Sequence, residues 1–351
     1  MAVIYDYLII GQGLAGSALA YHLLELNKKI LVIDENRENT SSKVAGGLYN
    51  PVTGRKMVKT WKADSLFPFM QEFYKNIEKL LETEFLHETP IYRPFISMEE
   101  QNEWMGKSAT PEYSRFIKKV HQGNLYDFSK DKFGGVELNY SGYLSVSKYL
   151  EAYQAYLKEK DSFIEGRFVY DDLKVETDEV SYKDIRSKKI IFCDGLGSQE
   201  GSYFSWLPFR PVKGEVIQID ADIELSHILN RGVFVVKKGD HFYEVGSNYD
   251  NQNLNWEPTQ KAREEILGKM ADISDFSYEV THQKAGIRPA TADRRPIIGM
   301  HPEHETIGIF NGLGTKGVSL APFFAHQFVQ YLEADKELMP EVNISRYFSL
   351  Y

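Results

Sequence analysis

Gly11, Gly13 and Gly16 carry the first sign of chemistry in this chain. They follow an apolar run and open a stretch able to form a helix, the setting in which a G-x-G-x-x-G spacing holds a dinucleotide. The first glycine makes the tight turn and the second lets a pyrophosphate approach the main chain. The third lets the helix pack on the sheet, while the N–H groups of the helix start, at Leu14, Ala15 and Gly16, face the phosphates. Asp34 stands eighteen residues beyond Gly16. A carboxylate there accepts hydrogen bonds from a ribose 2′-hydroxyl and repels a 2′-phosphate. The motif alone leaves FAD and NAD both open.

Other reactive residue types are sparse. The single cysteine, Cys193, permits no intramolecular disulfide and no thiolate cluster for zinc. It lies in an apolar run and reads as a small core residue. His301-Pro-Glu-His304 has two imidazoles but no third ligand nearby, and its proline marks a turn between two strands. No nucleophile triad or metal motif is evident, which suits chemistry borne by a cofactor.

The elements that must hold these residues follow from periodicity. Tyr5 to Ile10 and Lys29 to Asp34 are apolar runs of the kind found in a parallel sheet covered on both faces. Between them Leu14 to Leu26 reads as a helix ending at Asn27, completing a βαβ unit. Asn39 to Gly54 is polar and glycine-broken, without a regular element. Leu66, Phe69, Met70, Phe73, Ile77, Leu80 and Leu81 predict an amphipathic helix, with Asp64 or Ser65 as cap and Pro68 near the first turn. From Ile91 to Asn139 the pattern predicts antiparallel strands. Ser145 is placed to cap a helix carrying Val146, Tyr149, Leu150, Tyr153, Tyr156 and Leu157, with the strand Lys189 to Gly195 further on. Pro208 to Ile219 and Gly232 to Gly246 read as antiparallel strands, and Thr259 opens another helix. Ile307 to Phe310 then leads into a glycine-rich turn and a terminal helix, Val318 to Glu333.

A chain of 351 residues exceeds one ordinary core and points to about two domains. The 42% hydrophobic and 26% charged residues are ordinary globular values and exclude disorder. A net charge of −9 is the wrong sign for a phosphate-backbone or anionic-membrane binder. Nucleic acid is therefore an unfavoured partner. The uncharged stretch from Tyr7 to Leu24 reaches spanning length, but Gln12, His22, its glycines and the acidic flank Asp6 argue for a buried βα unit. A cytoplasmic location with no membrane partner is expected.

Several segments resemble one family. Thr40-Ser41-Ser42-Lys-Val-Ala45-Gly46-Gly47, Gly142-Tyr-Leu-Ser-Val-Ser, Cys193-Asp-Gly195-Leu-Gly197, Arg288-Pro-Ala-Thr-Ala-Asp293 with Pro296-Ile-Ile-Gly299, and Asn311-Gly312-Leu-Gly314-Thr315-Lys316-Gly317-Val318 are similar to motifs of the FAD-dependent D-amino-acid oxidase superfamily (DAO family). The resemblance is to its glycine oxidase and sarcosine oxidase branch, and also to the flavin domain of the bifunctional tRNA wobble-uridine modification enzyme. It covers about residues 4 to 333. It implies an α/β chain (α+β overall), in which a Rossmann-like FAD-binding domain with a parallel sheet is interleaved with a substrate domain of antiparallel sheet and helices. Residues 1–60, 140–205 and 285–351 would form the first domain, and 61–139 with 206–284 the second.

The same resemblance implies non-covalent FAD held by Gly11, Gly13, Leu14, Ala15, Gly16, Asp34, Ser41, Ser42, Ala45, Gly46, Gly47, Val169, Gly195, Gly312, Gly314, Thr315, Lys316, Gly317 and Val318. Val169 would pair with adenine through its backbone. Arg288 would clamp the substrate carboxylate, since a planar guanidinium grips it through two parallel bonds; the competing role is an internal salt bridge to Asp293. Lys316 would favour negative charge at the flavin pyrimidine edge, or else be a solvated loop lysine. Three departures stand out. Phe234 replaces a tyrosine that shares the carboxylate, Lys284 replaces an aromatic and would read an acidic substrate or solvent, and residues 248–253 lack the lysine that activates oxygen in sarcosine-oxidase-like relatives. The expected function is oxidation of the C–N bond of a small amino acid or N-substituted glycine, with electrons passing to oxygen or another acceptor. The alternatives are flavin-dependent tRNA wobble-uridine modification and a flavin-binding protein without amine turnover.

Overall fold

The apolar run before the glycine turn forms the strand Ile4–Ile10, and the helix after it spans Leu14–Glu25. The computed structural model describes residues 3–37, 39–54 and 58–351. Asn27 takes φ 56°, the left-handed geometry that lets the chain leave the helix and enter the strand Ile30–Asp34. Ile4–Ile10 pairs in parallel with Ile30–Asp34 on one side and with Ile185–Phe192 on the other. Phe163–Glu165 and Ile307–Asn311 extend the parallel run outward. Val180–Tyr182, Leu173–Val175 and Ile297–Met300 add antiparallel neighbours, completing eight strands drawn from three separate stretches of chain.

Both faces of this sheet are covered, as the continuous apolar strands require. Tyr7 and Ile9 point into a core with the Leu14–Glu25 helix and the long helix Gly317–Ala334, whereas Leu8 and Ile10 point into a second core with Phe192, Phe204 and Ile309. Leu8, Ile9, Leu19 and Val32 are fully buried, each worth about 1.5–3 kcal/mol of transfer free energy.

A second eight-stranded sheet lies in the order Glu279–Arg288, Val212–Asp220, Phe242–Gly246, Val233–Lys237, Ile228–Arg231, Ile91–Pro94, Gly135–Leu138 and Ile117–His121. It is antiparallel except where Ile228–Arg231 runs parallel to Ile91–Pro94. Its outer face is covered by the helix Gln260–Ala271, whose Ile266 and Met270 meet Ile217, Val235 and Val245. Thr259 caps that helix, accepting from Ala262 N at 3.2 Å. Among the described residues no helix is long and apolar enough to cross a membrane.

The structure corrects several local expectations. The amphipathic helix spans Ala63–Leu81 and starts from Lys62 at φ 54°, so neither Asp64 nor Ser65 caps it and Pro68 lies in its second turn. Ser145 precedes the helix Val146–Glu159 without capping it through its side chain, which meets His87 Nε2 at 3.0 Å instead. The stretch 39–54 contains a four-residue helix, Ser41–Val44, capped by Thr40, and two short strands, Leu48–Tyr49 and Val52–Thr53. Ser97 caps a helix, Met98–Ser108, inside the region read as all strand. Its two acidic first-turn residues, Glu99 and Glu100, were the available signal.

Candidate functional site

The glycine turn is enclosed by main chain. Gly11 has φ 98°, and a Cβ there would stand 2.7 Å from the Cys193 carbonyl oxygen. A Cβ on Gly16 would overlap the Gly11 carbonyl, so the helix and the turn meet only because both residues lack side chains. Gly13 faces Ser42, whose Oγ would be 3.2 Å from an added Cβ. The N–H groups of Leu14, Ala15 and Gly16 fall in the first helical turn, where no side chain caps them, and they remain available to an anion. Asp34 ends its strand within this turn, accepting from Gln12 N and Asn36 N at 2.6 Å each.

Three further loops converge on the same cleft. Leu14 meets Gly317, Gly195 faces Pro289, Gly314 faces Ala290 and Gly312 faces Thr291. The Arg288-Pro-Ala-Thr segment therefore backs onto both the turn after the third strand and the loop leading into the long C-terminal helix. In that loop the Gly312 N–H is committed to Asn311 Oδ1 at 2.8 Å and Gly314 N–H to the Pro289 carbonyl at 3.3 Å. The N–H groups of Leu313, Thr315, Gly317 and Val318 have no acceptor among the described residues. Gly47, at φ 74°, accepts from Leu144 N, and Gly46 packs against Phe234. Ser41 starts the short helix and Ala45 ends it in extended geometry, turning the chain into these glycines.

Arg288 lies across Gly214, the residue whose missing Cβ leaves room for the guanidinium. Its Nη2 donates to Ser247 Oγ at 2.8 Å, and Nη1 reaches the Asn248 carbonyl at the long distance of 3.5 Å. The Tyr249 ring centroid lies 4.9 Å from its carbon. Asp293 does not pair with it, because Arg346 takes that carboxylate at 3.1 Å. Among the described residues no carboxylate pairs with Arg288, leaving a largely buried cation with unused donors. Burial holds its pKa below the ordinary arginine value, and Tyr249 partly opposes this.

Lys316 is likewise unpaired by any described carboxylate. Its Nζ donates to Thr53 Oγ1 at 3.3 Å and Thr60 Oγ1 at 3.2 Å, and burial with the neighbouring Arg295 and Arg294 pushes it down to about 8. It is not a solvated loop lysine. Sequence reasoning missed Lys238, whose Nζ donates to the Gly46 carbonyl at 3.2 Å and lies 3.7 Å from the Tyr143 ring centroid. Burial lowers its pKa while Glu244, 3.6 Å away, counteracts this. Nothing in the linear sequence ties Lys238 to Gly46, because the contact depends on packing of the second sheet against the loop that follows the helix Ser41–Val44.

Lys284 lines a polar cleft with Asn39, Lys43, Ser147, Glu151 and Trp256, at the free edge of its sheet. Val169 donates its N–H to Tyr182 Oη at 3.2 Å, and its carbonyl accepts from Asp172 N at 3.2 Å with a second lone pair free. Cys193 is buried, and burial raises its thiol pKa. His301 and His304 stack at a turn between strands, and no group of three metal-ligating side chains occurs among the described residues.

The residues present fit FAD: closely packed glycine turns with open faces at Gly13, Gly195 and Gly314, unpaired N–H groups at two helix starts, and two cations, Lys316 and Arg288, without a carboxylate partner among the described residues. Comparison with known proteins agrees. The profile of the DAO family, FAD dependent oxidoreductase, matches residues 6–331. The chain is 23% identical to glycine oxidase of Bacillus licheniformis, over 91% of this chain and 90% of that one. It is 22% identical to the bifunctional tRNA 5-methylaminomethyl-2-thiouridine biosynthesis protein of Marinobacter nauticus, over 90% of this chain and 54% of that protein. The fold is similar to iminodiacetate oxidase from Chelativorans sp. BNC1, with TM-score 0.80, 19% identity, and coverage of 97% of this chain and 98% of that one. The chain thus belongs to the DAO family of FAD-dependent oxidoreductases.

Proposed function

We propose that this protein oxidises the C–N bond of a small amino acid or N-substituted glycine to an imine that water then hydrolyses. The observation that carries the reading is the unpaired, largely buried guanidinium of Arg288, facing Ser247 and Tyr249 beside the convergent glycine loops. Non-covalent FAD, when bound, supplies the hydride acceptor. Arg288 binds the substrate carboxylate through its free donors and so fixes the orientation of the α-carbon. Gly46 and Gly246 both pack directly against Phe234, and neither position has space for a side chain. Phe234 lacks a hydroxyl, so the carboxylate rests on Arg288 without help from that position. Lys316 and the free N–H groups of Leu313, Thr315, Gly317 and Val318 would stabilise negative charge on bound FAD.

The experiment is to purify the protein, record a flavin spectrum, and assay D-amino acids, glycine, sarcosine and other N-substituted glycines for amine release and oxo-acid formation. Turnover of at least one carboxylate-bearing amine is expected. A yellow protein that turns over none of them contradicts the reading.

A further inference from the structure

The turn after the strand Ile185–Phe192, Cys193-Asp-Gly, carries an acid where the family resemblance leads one to expect a small residue. Asp194 is partly accessible, yet both of its carboxylate oxygens are engaged. Ser198 donates to Oδ1, and Tyr170 donates to Oδ2 at 3.0 Å. Ser198 is fully buried and also meets Asn311 Nδ2 at 3.0 Å. The same Nδ2 donates to the Gly195 carbonyl at 2.8 Å, while Asn311 Oδ1 accepts from Gly312 N at 2.8 Å.

The directions of these bonds are not free. A carbonyl can only accept and a main-chain N–H can only donate, so Gly195 and Gly312 together fix which way the Asn311 amide points. Its second N–H then goes to Ser198, whose oxygen is thereby used as an acceptor. The Ser198 hydrogen must travel onward, and Asp194 Oδ1 receives it. The donors from Asn311 through Ser198 run toward the Asp194 carboxylate, and the chain joins the turn at Gly195 to the loop at Gly312. These two segments come from distant parts of the sequence and both border the cofactor cleft. Buried networks of this kind rigidify the groups they join when every member is satisfied.

We propose that Asp194 is a positioning residue for the flavin: acting through Ser198 and Asn311, its carboxylate sets the spacing of the Gly195 turn and the Gly312 loop. The inference rests on the FAD reading above. It makes no use of negative charge near the cofactor, only of an oxygen that accepts from Ser198. Asparagine can supply that oxygen, turning its amide nitrogen toward Tyr170, whose hydroxyl has the Gly197 carbonyl at 3.2 Å as an alternative acceptor. Alanine cannot.

The test is the dissociation constant for FAD, measured by flavin fluorescence on apoprotein of the wild type, Asp194→Asn, Asp194→Ala, Ser198→Ala and the double alanine variant, with apoprotein melting temperatures alongside. Expected are a rise of about tenfold for each single alanine variant, the worth of one buried hydrogen bond, near-normal binding by Asp194→Asn, and a double variant no weaker than the weaker single. Unchanged affinity in both single alanine variants, additive losses, or an Asp194→Asn as weak as Asp194→Ala overturns the proposal. Ser198→Ala keeps the test decisive if Asp194→Ala fails to fold. A wild type that binds no FAD overturns the cofactor reading and this inference with it, whereas failure confined to the variants leaves that reading standing.

Discussion

The guanidinium of Arg288 donates to Ser247 Oγ at 2.8 Å, and its carbon lies 4.9 Å from the Tyr249 ring centroid, while the nearby Asp293 is held by Arg346. An arginine kept in protein surroundings without an anion is costly, and such a site is relieved by a ligand that brings one. Arg288→Ala should raise KM for a carboxylate-bearing substrate about a hundredfold, with a smaller effect on kcat, as expected for loss of a bidentate charged contact. Steady-state kinetics check this, and an unchanged KM removes Arg288 from the site.

The Tyr249 side chain is 67% exposed although the loop around it is tied down, by Glu215 N donating to Asn248 Oδ1 and by Lys213 pairing with Asp250. Its ring covers Arg288 from the solvent side. Tyr249→Ala should weaken binding of small carboxylate inhibitors about threefold to tenfold, whereas Tyr249→Phe should retain it, because the contact is made by the ring face. Flavin difference spectra on inhibitor titration measure both.

Gly46 carries a steric requirement. A Cβ there would stand 2.5 Å from Phe234 Cζ. Gly46→Ala should displace either the loop or the ring and weaken FAD retention, and Phe234→Ala introduced with it should restore retention. Flavin-to-protein absorbance ratios after gel filtration check the pair; failure of the second substitution to rescue assigns the defect to another contact.

Lys316 titrates at about 8 in the folded protein, down from its ordinary value of 10.5, through burial and the nearby Arg295 and Arg294. Because the folded value is depressed, the unfolded chain holds the extra proton between these two values. This group therefore adds stability to the apoprotein as pH rises through the window and removes it as pH falls. Lys316→Met should flatten that part of the pH–stability curve. It should also make the bound flavin harder to reduce, by roughly 30 mV for each tenfold loss in affinity for the reduced form. Thermal melts of the apoprotein and redox titration of the holoprotein provide the two readouts.

Lys213 and Glu215 are almost completely buried and 3.5 Å apart. Glu215 also receives Thr259 N at 2.8 Å and Gln283 Nε2 at 2.7 Å, anchoring the start of the helix Gln260–Ala271. Glu215→Ala leaves Lys213 with only the neutral acceptors Asn255 Oδ1 and the Glu257 carbonyl and orphans the donors of Thr259 and Gln283, and should cost about 3–5 kcal/mol. Equilibrium denaturation of the apoprotein measures it, and a loss below 1 kcal/mol would mean that water reaches the lysine.

The parts of this site legible in the sequence are those where chemistry constrains neighbours in the chain. The glycine turn, Asp34 and the Arg288 segment each declare themselves within a few residues, since tight turns and strand ends admit few side chains. Loops from distant stretches lie against one another, with Gly317 on Leu14 and Gly312 on Thr291. What stayed hidden depends on long-range packing. Lys316 is held by Thr53, from a stretch that looked irregular, and by Thr60 beyond it. Lys62 starts its helix in a left-handed conformation for which lysine carries no local signal.

The most direct test of the central claim is anaerobic reduction of the bound flavin by matched pairs of compounds, each amino acid or N-substituted glycine beside the amine lacking its carboxylate, in wild type and Arg288→Ala. The account predicts that the wild-type visible flavin absorbance bleaches with at least one carboxylate-bearing member and not with its partner, and that Arg288→Ala loses this preference. Bleaching by both members of every pair at similar rates, or by no carboxylate-bearing compound, would contradict it.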